Sequence, residues 1–136
     1  MSSAPASRVD PGLVLLRVVL ALLLALHGVA RIHHDGVVPF GGFFTALGVP
    51  LGVPLAAAIT AFEILGGAAL ALGRSVTPIA ALFAVQLAAG IALVHAPHGW
   101  FVVGSGTNGV EYSVCLIAGF LALILSQRHH TRASAA

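Results

Sequence analysis

Residues 12–32 read GLVLLRVVLALLLALHGVARI, and only Arg17, His27 and Arg31 interrupt an otherwise apolar run. About 20 helical residues at 1.5 Å each cross a hydrocarbon layer of about 30 Å. The stretch is therefore long enough to span a membrane once. A cleaved signal peptide is the competing reading. No A-x-A site follows the run, however, and His27 and Arg31 stand where the cleavage region would be. The sequence predicts a retained first span.

Working outward, the rest of the chain repeats the pattern. Apolar residues make up 59% of the 136 and charged residues 7%, and the mean hydropathy is +1.06. Soluble domains carry about 25% charge, so this chain has too little polar surface to meet water all round. A second run extends over 55–72 and ends at Gly73-Arg74. A third, 76–95, holds Pro78 in its first turn, where proline is tolerated. A fourth covers 110–126 and is followed by a polar tail, 127–136, while residues 1–11 read as a disordered leader. The fold class predicted is all-α integral membrane, with four transmembrane helices in a single bundle domain over 12–126. Small residues such as Gly66, Gly67, Ala88, Ala89 and Gly90 allow close helix contact in lipid. Cys115 lies alone in the fourth run and reads as a small core residue.

The basic residues are all arginine and set a sidedness. Arg8, Arg74, Arg128 and Arg132 fall in the leader, the second connection and the tail, whereas residues 96–109 contain none. Positive charge stays on the cytoplasmic side. Both termini and the Arg74 turn are thus expected in the cytoplasm of a plasma-membrane protein, with two longer loops outside. Arg17 lies about one turn inside the first span and can snorkel to the inner interface. In the first outer loop, Phe40, Phe43, Phe44 and Leu47 follow i, i+3, i+4, i+7 spacing between Pro39 and Pro50. That predicts a short amphipathic helix, with an aromatic coil as the alternative. Trp100, Phe101 and Tyr112 suit the headgroup level of the second outer loop. A net charge of +2 without a basic patch argues against nucleic acid as a partner.

Ionisable residues inside spans carry the functional information, because an intramembrane charge is expensive. The candidate ligand-binding residues are His27, Arg31, Glu63, His95 and Glu111. The topology gathers His27, His95 and Glu111 at one depth near the outer face, with Glu63 deeper. Each has a plainer reading. His95 and Glu111 can be wetted span ends, and His27 can be a satisfied packing residue. Glu63 must be protonated, hydrated or paired, with Arg31 or His27 as partner. Gln86 and His95 lie nine residues apart, nearly opposite on an ideal helix, and join one cluster only if the third span bends. Two histidines and two carboxylates at differing depths make a metal site a weak reading, as does transport. His33-His34 and His129-His130 read as solvated loop and tail residues.

Taken in order, Arg17 with His27-Gly28 and Arg31, the segment GGFFTALGVP, Phe62-Glu63-Ile64-Leu65-Gly66-Gly67, His95 with His98-Gly99-Trp100-Phe101, and Glu111-Tyr112 resemble the DoxX family of small bacterial four-helix membrane proteins. The resemblance runs over about residues 13–126, and Arg31 stands where the family often has Lys. It implies a membrane subunit associated with redox processes. Wider relatives include a small subunit of a thiosulfate:quinone oxidoreductase and partners of oxidative-stress enzymes. No CxxC, haem motif or dinucleotide fingerprint is present. Electron chemistry would therefore run through a quinone or a partner protein. A non-catalytic scaffold that assembles a redox or respiratory complex is the alternative. The expected partners are the bilayer and other membrane or redox proteins.

Overall fold

A computed structural model of the chain describes residues 10–133, with side chains described through Gln127. The expectations for leader residues 1–9, for Arg8, Arg128 and Arg132, and for His129-His130 fall outside the described residues or side chains, while Asp10 and Pro11, read as leader, belong to the start of α1. The described residues are helical and contain no strand. They form α1 (Pro11–His33), α2 (Val37–Ala46), α3 (Gly52–Ala71), α4 (Val76–Gly90) and α5 (Glu111–Ala133). Three helical stretches are long and apolar enough to cross a membrane: Pro11–His33, Gly52–Ala71 and Val76–His98. The described apolar part of α5, Glu111–Gln127, is shorter.

Local chemistry explains the boundaries. The Asp10 side chain accepts a hydrogen bond from the Gly12 N–H at 2.7 Å and caps α1, with Pro11 in the first turn. Gly73 at φ 75° and Ser75 at φ 48° turn the chain sharply from α3 into α4. At the same end Arg17 donates to the Ala71 carbonyl at 3.4 Å, so its guanidinium meets the C-terminus of α3. α3 starts three residues earlier than its apolar run because Pro54 fits in a first turn.

Helix α2 lies against the start of α3. Its Gly41 and Phe44 are buried, while Phe40 and Phe43 are half-buried. A Cβ on Gly41 would stand 2.5 Å from Val53 Cα, so only glycine permits this approach. α1 and α3 are equally close: a Cβ on Gly67 would meet the Ala21 carbonyl and Ala25 Cβ at 2.9 Å. α5 packs on α4, and α1 meets α5 where Leu20 lies over Gly119. The buried core joins Leu20, Leu24, Leu70, Ala80, Phe83, Leu116 and Phe120. Phe83 sits in its middle, with ring centroids 4.6 Å from Phe62 and 5.4 Å from Phe120. This core occupies the half of the bundle nearest the Arg74 turn.

One packing expectation is overturned. Cys115 is exposed on α5. The next residue, Leu116, and Phe120 one turn beyond it take the inward positions. The 100° helical step places Cys115 on the outward face.

Candidate functional site

Glu63 is the most deeply buried charged residue described, at 2% exposure. It sits on the face of α3 that also carries Thr60 and Gly67, the face pressed against α1. A carboxylate there loses its water and must be satisfied by protein. Arg31, in the last turn of α1 on the same seam, supplies the answer. Its Nη1 donates to Glu63 Oε2 at 2.5 Å and its Nη2 to Glu63 Oε1 at 3.3 Å. This two-pronged geometry suits a guanidinium and a carboxylate. Arg31 Nη1 also donates to Thr60 Oγ1 at 3.0 Å, and the Thr60 hydroxyl donates to the Ala56 carbonyl at 2.8 Å. The Phe40 ring of α2 lies 4.4 Å from the guanidinium carbon, a cation–π contact. Of the two partners that the sequence offers Glu63, the structure selects Arg31.

Gln86 completes the cluster from across the bundle. Its Nε2 donates to Glu63 Oε1 at 2.6 Å, which ties α4 to α3. The amide's second proton and its carbonyl have no partner among the described residues. The ion pair is thus neutral as a unit, and one uncharged amide group faces inward from it.

The space beside this cluster is a cavity of about 970 Å³. Its walls come from all five helices and from the loop before α5. His27, Arg31, Glu63 and His95 all line it, together with Gln86. The aromatic side chains of α2 line one part of the end away from the Arg74 turn. Val102, Asn108 and Gly109 of the 99–110 loop close another. That loop is held by backbone bonds from Gly109 N to Phe101 O and from Glu111 N to Trp100 O, at 3.1 and 3.0 Å. Glu111, the first residue of α5, is not among the residues of the cavity wall; it braces the loop instead, its Oε1 accepting from the Val102 N–H at 2.9 Å. Four of the five candidate residues therefore share one site, and the fifth shapes its cap.

His95 reaches the cavity because α4 changes its winding. Residues Ile91–His95 form a π turn and Ala96–His98 a 3₁₀ turn. A π turn holds about 4.4 residues, so each step rotates about 82° and five steps recover roughly 90° relative to an α-helix. The half-turn that separates Gln86 from His95 on an ideal helix shrinks to about a quarter-turn. Both side chains then line one space. His95 Nδ1 lies 3.0 Å from the Asn108 carbonyl oxygen. A carbonyl only accepts, so Nδ1 carries the proton, and in the neutral ring Nε2 keeps a lone pair. His27, one turn before Arg31 on α1, is exposed and has no hydrogen-bond partner among the described residues. His33 and His34 are exposed at the end of α1. Among the described residues no three His, Cys, Asp or Glu side chains group as metal ligands.

Sequence reasoning missed two members of the site, Gln86 and Phe40. Gln86 carried a signal, since it is the one amide inside the third apolar run. Phe40 carried none beyond its helical spacing, because its place beneath Arg31 depends on how α2 folds back.

The DoxX family model matches residues 12–96. The chain belongs to the DoxX family. The match takes in Arg31, Glu63, Gln86 and the π turn through His95, and it ends before the cap loop and α5. No curated protein and no solved structure matches the chain.

Proposed function

We propose that this DoxX chain is a four-span, redox-associated membrane subunit whose outer cavity holds the head of a quinone. One observation carries the reading: an apolar cavity of about 970 Å³ with Gln86, His95 and His27 on its wall beside the Arg31–Glu63 pair. Ligand sites have this character, mostly apolar with a few convergent polar groups. The Gln86 amide donates to a ring carbonyl. His95 Nε2 accepts from a ring hydroxyl, and His27 exchanges protons with the outside. A quinone supplies two-electron, two-proton chemistry when bound, with electrons delivered by a partner redox protein.

The membrane arrangement belongs to the same proposal. Three helices meet the requirement for a span, and the 17 described apolar residues of α5 reach about 25 Å. Packed on α4, α5 makes the fourth span and returns the chain to the side of the Arg74 turn. Arg17 and Arg74 mark that side as cytoplasmic in the plasma membrane, with both termini there. α2 then lies along the outer interface. The test is solvent extraction of protein purified with its native lipids. Quinone enriched over the surrounding membrane in wild type, and lost in Glu63→Gln, supports the reading. Quinone at the bulk lipid ratio in both contradicts it.

A second reading has its own support. Every contact of the Glu63 carboxylate is already made within the protein. Such a network staples three helices without a ligand, as an assembly scaffold for a redox or respiratory complex would need. Co-purification of a stable partner that survives Glu63→Gln, with no quinone present, favours the scaffold.

A further inference from the structure

We infer that the cavity is entered sideways from the bilayer, between α3 and α4, by a long-chain amphiphile with a small uncharged head. The inference rests on the cavity being a ligand site and does not require that the ligand be a quinone. The entry follows from which walls are open. Leu24 and Leu116, deep in the cavity, are each 4% exposed, whereas Leu82 and Val85 of α4, which line the same space, are 56% and 67% exposed. Ala58 of α3 and Ala89 of α4 are exposed lining residues on the two sides of this seam. α3 and α4 are consecutive helices joined by a tight turn, yet they touch little beyond Phe62–Phe83 and Glu63–Gln86. The outer end, by contrast, is covered by α2 and by the hydrogen-bonded 99–110 loop. Both helices that flank the opening are long and apolar enough to span. The gap therefore faces acyl chains rather than water.

The head chemistry follows from charge. Arg31 and Glu63 are the charged residues of the wall, and they neutralise each other. Beside this pair a phosphate, carboxylate or ammonium would meet a counter-charge already taken and would lose its hydration. An uncharged head has partners: the spare N–H and carbonyl of Gln86 and the lone pair of His95 Nε2. A head with one hydroxyl or carbonyl meets them, while its chain lies along Ile59, Leu82 and Val85.

The probe is a 16-carbon alcohol carrying a diazirine, photolysed with the protein in phosphatidylcholine nanodiscs. The labelled residues are mapped by mass spectrometry, with the matching fatty acid as comparison. The alcohol should label the buried residues Leu24, Ser113 and Leu116, and the ionised acid should label them several-fold less. Ala58→Trp with Ala89→Trp fills the gap and should lower labelling of the buried residues about tenfold, because a packed space rejects added volume. Leu22→Trp, on the outer face of α1, should leave it unchanged. Labelling confined to outward residues such as Leu22 and Leu121 in wild type overturns the inference whatever the variants do. So does equal labelling by the acid, or loss with Leu23→Trp on α1 in place of the α3–α4 pair. Failure of decylubiquinone to compete, with buried labelling intact, refutes the quinone reading alone and leaves the lateral entry supported.

Discussion

Arg31→Met should destabilise the fold by about 3–5 kcal/mol, the usual cost of removing one partner from a buried ion pair. The structure supports a figure of this size. The change deletes two bonds to the Glu63 carboxylate, at 2.5 and 3.3 Å, and hydrogen bonds to charged groups contribute about 1.5–3 kcal/mol each. It also strands a carboxylate that is 2% exposed, with only the Gln86 amide left as a partner. The cation–π contact with Phe40 is lost as well. Methionine keeps much of the side chain's length, so the cost is electrostatic rather than a cavity. If the stranded charge is the cause, removing it should rescue the protein. Arg31→Met combined with Glu63→Leu should regain most of the loss, with a coupling energy of about 2–3 kcal/mol. Detergent-titrated unfolding followed by circular dichroism measures all four members of the cycle. A single-variant loss below about 1 kcal/mol, or a double variant no better than the worse single, would refute the view that this pair holds α1 to α3.

Other outcomes follow from the packing. Gly67→Ile should cost about 2–3 kcal/mol, or prevent folding, because even a Cβ there stands 2.9 Å from the Ala21 carbonyl; the same unfolding assay reads it. Arg17→Leu should cost under about 1 kcal/mol, the scale of a helix-terminus charge, and a larger loss would mean Arg17 does more than meet the end of α3. Cys115 is exposed on α5, so if α5 is the proposed fourth span it should react with a lipid-soluble maleimide in nanodiscs but not with a charged, water-borne one. Equal reaction with both reagents would place that face of α5 in water.

Much of this arrangement is legible in the residues, and what is not has a physical cause. The apolar runs locate α1, α3 and α4 because backbone groups in lipid must be satisfied internally, and a helix does so. The i, i+3, i+4 spacing of Phe40, Phe43 and Phe44 anticipates α2. Glu63 announces a partner because a buried carboxylate cannot stand alone, and Arg31 is one of the two on offer. The union of Gln86 with His95 is not legible. It depends on a π turn at Ile91–His95, and no proline marks that change of winding before it occurs. The sequence offers Glu111 as a site residue, but its hydrogen bond to Val102 depends on a loop whose course only tertiary structure fixes. Cys115 shows the limit of composition: in a membrane protein an apolar run faces outward as readily as inward.

The measurement that bears most directly on the account is an experimental density map of the protein in nanodiscs made from its native membrane. The expected result is elongated density that enters between Ile59 and Val85 and ends in a compact head within hydrogen-bond reach of Gln86 and His95. A map in which α4 closes on α3 and leaves no space beside the Arg31–Glu63 pair would contradict it.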